Sequence, residues 1–249
     1  HVLGQPTHAR AWRLAHDPEA LPGAARARLR ERGTRRLAGE PMAYLTGSKA
    51  FYGLQLQVDA RVLDPRDDTE TLVDWALALL PPDAGRRVLD LGTGSGAIAL
   101  ALAAERPRAR VTAVDASADA LAVAAGNAAR LGLELDLRHG DWFGPLADER
   151  FDLIVSNPPY IAADDPHLPA LAHEPRQALV SGADGLHDIR RIIAAAPEHL
   201  APGAWLLLEH GWDQAAAARA LLSDSGWAQV QSRRDLAGVE RCSGGQWPL

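Results

Sequence analysis

The chain has 249 residues, 47% of them hydrophobic and 23% charged, which suits one sizeable folded domain with a smaller companion. A formal net charge of −6 removes any overall basic field that would draw the protein to nucleic acid, though it leaves room for a local basic face. The single cysteine, Cys242, excludes an internal disulfide and a cysteine-rich zinc site and suits a reducing cytoplasm, and no apolar run approaches the ~20 residues that span a bilayer. No secretory signal is visible, and because the chain starts at His1 rather than Met its N-terminus is expected to be trimmed.

Residues 1–45 are rich in Ala, Arg and Leu and show no strand-like alternation. They predict two or three short helices, broken near Asp17-Pro18 and Leu21-Pro22-Gly23. From Ala24 to Leu37, apolar or small residues recur at helical spacing, while Arg26, Arg28, Arg30, Arg32, Arg35 and Arg36 fill the other face. A solvated face accounts for these arginines more simply than a partner surface. Residues 46–64 change character. Phe51 to Val58 alternates apolar and polar, and Gly47 and Gly53 mark turns, so a β-hairpin is expected to join the helical part to residues 65–249. Thr69 to Leu80 reads as an amphipathic helix capped by Thr69 and ended by Pro81-Pro82.

From Arg86 onward, strands are expected at 87–91, 110–115, 134–138, 151–156, 204–210 and 227–232, with helices at 96–105, 117–131, 185–199 and 212–224. This alternation predicts an α/β fold, its mainly parallel sheet covered on both faces. Asp235 to Trp247 adds a closing strand. Residues 161–184 form an irregular stretch, long enough to suggest a functional loop.

Three motifs carry chemistry. Gly92-Thr93-Gly94-Ser95-Gly96 follows the strand Arg87 to Leu91 and opens a helix, the setting in which bare backbone lets a nucleotide-type ligand approach. The run lacks both the strict GxGxxG pattern and the Lys-Ser/Thr of a triphosphate loop. Asp115 ends the second strand 19 residues after Gly96, where a carboxylate can accept from ribose hydroxyls. Asp90, just before the glycines, would repel phosphate and attract the amino group or sulfonium of a cationic ligand, which favours S-adenosylmethionine over NAD. Gly140-Asp141-Trp142-Phe143 follows the third strand. Asp141 is an acceptor for an adenine amino group or a plain turn residue, and Trp142 is a flat face for the ring or plain core.

The third motif, Asn157-Pro158-Pro159-Tyr160, ends the strand Phe151 to Ser156. Two prolines stop the chain there and hold Asn157 at a strand's C-terminal edge, where open α/β sheets bind ligands. Alone the motif could be a turn. Its carboxamide oxygen and a carbonyl free of helical partners are two acceptors, enough to hold both hydrogens of an NH2 group.

This ordered set resembles the class I S-adenosylmethionine methyltransferases, and in particular the PrmC/HemK family, the N5-glutamine methyltransferases of peptide chain release factors. The likeness extends to Gly39-Glu40-Pro41 with Tyr44-Leu45-Thr46-Gly47, to Phe51-Tyr52-Gly53, to Glu174-Pro175-Arg176-Gln177-Ala178-Leu179 and to Asp235-Leu236-Ala237-Gly238. It implies a Rossmann-like domain with a mainly parallel seven-stranded sheet at 65–249, a β-hairpin linker at 46–64 and a small N-terminal helical docking domain at 1–45. It also implies S-adenosyl-L-methionine as cofactor, S-adenosyl-L-homocysteine as product and no metal. Cofactor contacts would fall on Gly92 to Gly96, Asp115, Asp141, Trp142 and Asn157, and substrate contacts on Asn157, Pro158, Pro159 and Tyr160. Asn157 Oδ1 and the Pro158 carbonyl would each accept one amide hydrogen, with Tyr160 on the amide plane. The implied partner is a bacterial class I release factor, met in the cytoplasm by a monomer with no direct nucleic-acid contact. One departure stands out: Asp64-Pro65-Arg66-Asp67-Asp68-Thr69-Glu70 carries Asp64 in place of an apolar residue and Asp67 in place of a proline. A ribosomal-protein glutamine methyltransferase, an adenine or guanine amino-methyltransferase and an inactive relative are the competing readings.

Overall fold

The computed structural model describes residues 23–248. The expected helix breaks at Asp17-Pro18 and Leu21-Pro22 lie outside the described residues. The chain enters as helix α1 (Gly23–Leu37), whose arginines point mainly to solvent and whose Arg35 pairs with Glu31 and Glu40. A short helix α2 (Met42–Thr46) follows, ended by Gly47 in the left-handed region.

The expected hairpin is present, but the alternating run is not one strand. Phe51 ends strand β1 (Ser48–Phe51) and the next strand is β2 (Leu54–Gln57), because Tyr52 and Gly53 between them both take positive φ (+46° and +74°). Two such residues make the tight turn whose twist matches a hairpin. The following helix, α3 (Glu70–Leu79), is preceded by a 3-10 turn over Asp67–Thr69. Thr69 does not cap it: its backbone is already helical (φ −64°, ψ −20°) and its side chain makes no cap bond. Its hydroxyl is used elsewhere, as described below.

Strands β3 (Arg87–Leu91), β4 (Arg110–Asp115), β5 (Asp136–His139), β6 (Phe151–Ser156), β7 (Leu200–Glu209), β8 (Ala228–Arg234) and β9 (Glu240–Gln246) form, among the described residues, one seven-stranded sheet in the order β5-β4-β3-β6-β7-β9-β8. The first five are parallel, and β9 runs antiparallel to both β7 and β8. Helices α4 (Ala97–Glu105), α5 (Ala118–Leu131), α6 (His187–Ala195) and α7 (Ala215–Asp224) complete the alternation. The central strands β3 and β6 are apolar on both faces because each face is covered, which is why Val88, Leu89, Leu153, Ile154 and Val155 are all buried. α4 is apolar all round for the same reason: every residue from Ala97 to Ala103 is buried. The expected helix at 185–199 stays α-helical only to Ala195 and then tightens into a 3-10 turn containing Pro197, which has no N–H to continue the ladder.

Register lines up the site. Leu91 pairs with Val114 on one side and Ser156 on the other, and Ser156 pairs with Leu208. One step further along, Asp115, Gly92, Asn157 and Glu209 form a row across the carboxyl edge of four adjacent parallel strands. Asn127 of α5 stitches the hairpin to this edge: its Nδ2 donates to the carbonyls of Gln57 and Ser95 (2.9 and 3.0 Å), and its Oδ1 accepts from Gln57 N–H (2.7 Å).

Candidate active site

The glycine turn between β3 and α4 is held from below and from the side. Below it, the fully buried Asp90 accepts from the Thr93 hydroxyl (2.6 Å), and the Ala99 N–H at the start of α4 favours its charged form. Burial pushes the Asp90 carboxyl up to about 7, and its Oδ1 has no partner. Asp90 therefore does not attract a ligand directly, as its position before the glycines suggested. It lies under the turn and shapes it. From the side, the Asp115 carboxylate accepts from Gly94 N–H and Ser117 N–H, both at 2.8 Å. Each of its oxygens keeps a lone pair free, and Asp115 lines the cavity above. Burial raises its pKa while these two bonds oppose the rise.

Of the turn residues, Gly92 and Gly94 line that cavity. Thr93 and Ser95 are buried, and Gly96 serves packing: a Cβ there would come within 3.1 Å of Leu100 and 3.3 Å of Ala124. Gly92 does face the ligand space. Its φ is +72°, which strains any side chain, and a Cβ would sit in ordinary contact with the Trp142 ring at 3.4 Å. Trp142 itself takes φ +48°, a costly backbone state for a bulky residue, and its Nε1 donates to Asp188 Oδ1 at 3.3 Å. The ring is thereby fixed along the cavity wall rather than lost in the core. Asp141 lines the same cavity, but its exposed carboxylate is paired with Arg191.

Asn157 stands where this cavity meets a second one. The second cavity, of about 590 Å³, lies between Pro41-Met42, Arg66 and Tyr160-Ile161. Asn157, Leu63 and Ala178 line both spaces. Pro159 faces the first and Tyr160 the second, while Pro158 is buried and lines neither. The Tyr160 carbonyl is anchored by Gln214 Nε2 (3.0 Å) and passes so close to Gly185 that a Cβ there would sit 2.3 Å from it. The long loop after Tyr160 is not free. Ile161 bridges Val180 in parallel, with Ile161 N–H donating to Leu179 O at 2.8 Å and Ser181 N–H to Ile161 O at 2.9 Å. From the Asp64 to Glu70 run, Asp64 and Arg66 line the second cavity. Arg66 is ion-paired to the buried Glu174 (2.5 Å), Asp64 lies 3.7 Å from Arg66, and Asp67 takes Lys49 (2.8 Å). Both unusual aspartates thus have cationic partners.

The sequence reading missed the wall made by Val62 and Leu63, which lie in an irregular segment without a pattern. It also missed Thr69 and Glu209, whose side chains meet Asn157. For Glu209 a signal existed, because it is a carboxylate ending an apolar strand, as Asp115 is.

A model described as the methyltransferase small domain matches residues 69–210, and one described as the PrmC N-terminal domain matches residues 1–47. A Bordetella pertussis protein named release factor glutamine methyltransferase is 55% identical over 248 residues, spanning 98% of this chain and 91% of that protein. A Pseudomonas aeruginosa protein of the same name is 51% identical over 251 residues, spanning 99% of this chain and 89% of that one. In three dimensions the chain is similar to a methyltransferase from Pyrococcus furiosus (TM-score 0.61, 19% identity, 88% of this chain and 99% of that one), a likeness of fold.

Proposed function

The chain belongs to the release factor glutamine methyltransferase family, and from that premise we propose that it methylates the side-chain amide nitrogen, N5, of a glutamine in a bacterial class I peptide chain release factor. The glutamine would be that of the Gly-Gly-Gln loop that the family resemblance implies. One observation carries the reading: Asn157 lies on the partition between two cavities, one beside the glycine turn and one opening towards the N-terminal helices.

The residues of the first cavity fit S-adenosyl-L-methionine. Gly92 and Gly94 offer bare backbone, Asp115 keeps acceptor capacity for ribose hydroxyls, and Trp142 lays a flat apolar face along the wall. When bound, that cofactor supplies an electrophilic methyl group and leaves as S-adenosyl-L-homocysteine. The rest is the work of the chain. An amide nitrogen is a poor nucleophile because its lone pair is delocalised. Asn157 Oδ1 and the Pro158 carbonyl would accept its two hydrogens, fix its position and favour positive charge on it as the new bond forms. Tyr160 would pack on the amide plane. The prolines limit the freedom of the segment.

The second cavity and the helical segment before it would receive the substrate loop. We accordingly take 1–45 as the docking part, 46–64 as the linker and 65–249 as the methyltransferase domain. The enzyme is further proposed to be a cytoplasmic monomer that makes no direct contact with nucleic acid, in line with its single cysteine and net charge of −6. Among the described residues no helix is long and apolar enough to cross a membrane.

The test is transfer from labelled S-adenosyl-L-methionine to a purified release factor, with mass spectrometry to locate the methyl and a Gln-to-Ala loop variant as control. A methyl on that glutamine is the expected result. Cofactor binding without transfer to the release factor would overturn the substrate assignment.

A further inference from the structure

β6 lies between β3 and β7, so the end of β7 is next to Asn157. That end is Glu209, last in the run Leu206-Leu207-Leu208-Glu209, and it is only 1% exposed. A carboxyl so placed needs hydrogen-bond partners. Thr69 and Asn157 are the polar side chains beside it that favour its charged form, while its Oε2 has no partner. Thr69 Oγ1 in turn accepts from Asn157 Nδ2 at 3.3 Å. The three side chains therefore lie together beside the partition between the cavities. A threonine hydroxyl carries one hydrogen, and a carboxylate carries none. If Thr69 accepts from Asn157, its hydrogen goes to Glu209, and only the NH2 side of Asn157 can face inward.

We infer that Glu209 and Thr69 are positioning residues for methyl transfer: they hold the Asn157 carboxamide with its NH2 inward, so that Oδ1 is the atom offered to the substrate amide. The inference rests on the glutamine methyltransferase reading given above. A carboxamide is nearly symmetric in shape, so packing alone does not choose between its two orientations. The wrong one would set N–H against N–H and remove one of the two acceptors the reaction needs. An acceptor-only carboxylate makes the choice.

The arrangement has a signature in pH. A protonated Glu209 becomes a donor, which an inward-turned Oδ1 would satisfy. Burial pushes this carboxyl up to about 7. Arg241 on β9 favours its charged form and Asp68, beside Thr69, opposes it. Tyr160 and Cys242 also face it, and burial raises both so that they stay neutral. Its chain neighbour His210 is held down by burial and is neutral as well. The productive orientation is therefore lost as pH falls through about 7.

The experiment compares the wild type with Glu209→Gln, which keeps the shape and imitates the protonated acid. Methyl transfer to a purified class I release factor is followed from about pH 6 to about pH 9, beside calorimetric binding of S-adenosyl-L-methionine. The wild-type kcat should rise with pH and level off. Glu209→Gln should stay about tenfold below that plateau with no rise, and KM for S-adenosyl-L-methionine should stay within about twofold. Thr69→Val should show a similar loss, and Thr69→Ser should restore the rate. A Glu209→Gln enzyme with the wild-type plateau and the wild-type rise overturns the inference and leaves the proposed function standing. So do equal rates for Thr69→Val and Thr69→Ser, which decide the matter should Glu209→Gln not fold. A wild type that binds the cofactor but methylates no release factor overturns both.

Discussion

Asp90 and Glu209 sit near the ends of β3 and β7, one on each side of β6. Both are buried, burial pushes both up to about 7, both receive a threonine hydroxyl, and both leave one oxygen without a partner. They differ in what they hold. Asp90 draws its partners from the next turn of chain, Thr93 and Ala99, and fixes a stretch of backbone beneath the first cavity. Glu209 draws on Thr69 and Asn157, from two other elements, and fixes the direction of one side chain. The same device, a carboxyl starved of water, thus shapes a loop on one side of β6 and orients an amide on the other.

The strongest way to break the comparison is to remove what Glu209 serves. Asn157→Ala should lower kcat by about 10²-fold or more, the scale of one lost preorganised contact, with a smaller change in cofactor affinity. Steady-state kinetics with a release factor would show it, and turnover near wild type would dismiss the acceptor role. On the other side, Asp115→Ala should weaken S-adenosyl-L-methionine binding about tenfold or more, because charge-assisted hydrogen bonds contribute about 1.5–3 kcal/mol each. Calorimetry reads this directly, and kcat at saturation should move less. Asp90→Ala leaves the Thr93 hydroxyl and Ala99 N–H unpaired in a dry place, so it should cost about 1–3 kcal/mol, seen as a lower urea midpoint at unchanged slope.

A milder effect separates stability from activity. The Asp90 and Glu209 carboxyls both titrate higher in the fold than their ordinary values of 3.8 and 4.5. Between those values and about 7 the native state binds more protons than the unfolded chain, so their contribution to stability falls as pH rises and levels off above about 7. Urea midpoints from pH 5 to pH 8 should fall less steeply in Glu209→Gln than in wild type, and parallel curves would count against it. The smallest effect belongs to the rim. Lys49→Ala removes an exposed ion pair with Asp67 and should change stability by less than about 1 kcal/mol, a melting shift of at most about 4 °C.

The same contrast explains what was readable beforehand. The glycine turn, Asp115 and Asn157-Pro158-Pro159-Tyr160 announce themselves because each is a short local pattern at the end of an apolar strand. Thr69 carried a local signal too, but the wrong one: a threonine before a helix reads as a cap until an amide and a carboxyl from distant strands claim its hydroxyl. Phe51 to Val58 obeyed a strand period, but two positive φ angles at Tyr52 and Gly53 set Phe51 on one strand and Leu54 to Gln57 on the next. The Val62-Leu63 wall has no local signal at all, and Glu209, though it ends an apolar strand as Asp115 does, acquires its partners only when β7 is brought beside β6.

Pro158 and Pro159 have no N–H, and the Asn157 NH2 is turned to Thr69. The Asn157-Pro158-Pro159 segment therefore turns oxygens and no N–H of its own towards a substrate side chain. A glutamate in place of the glutamine would bring no hydrogens to give those oxygens, and both acceptors would be left unpaired. The absence of two backbone hydrogens thus suits the proposed site to an amide rather than a carboxylate.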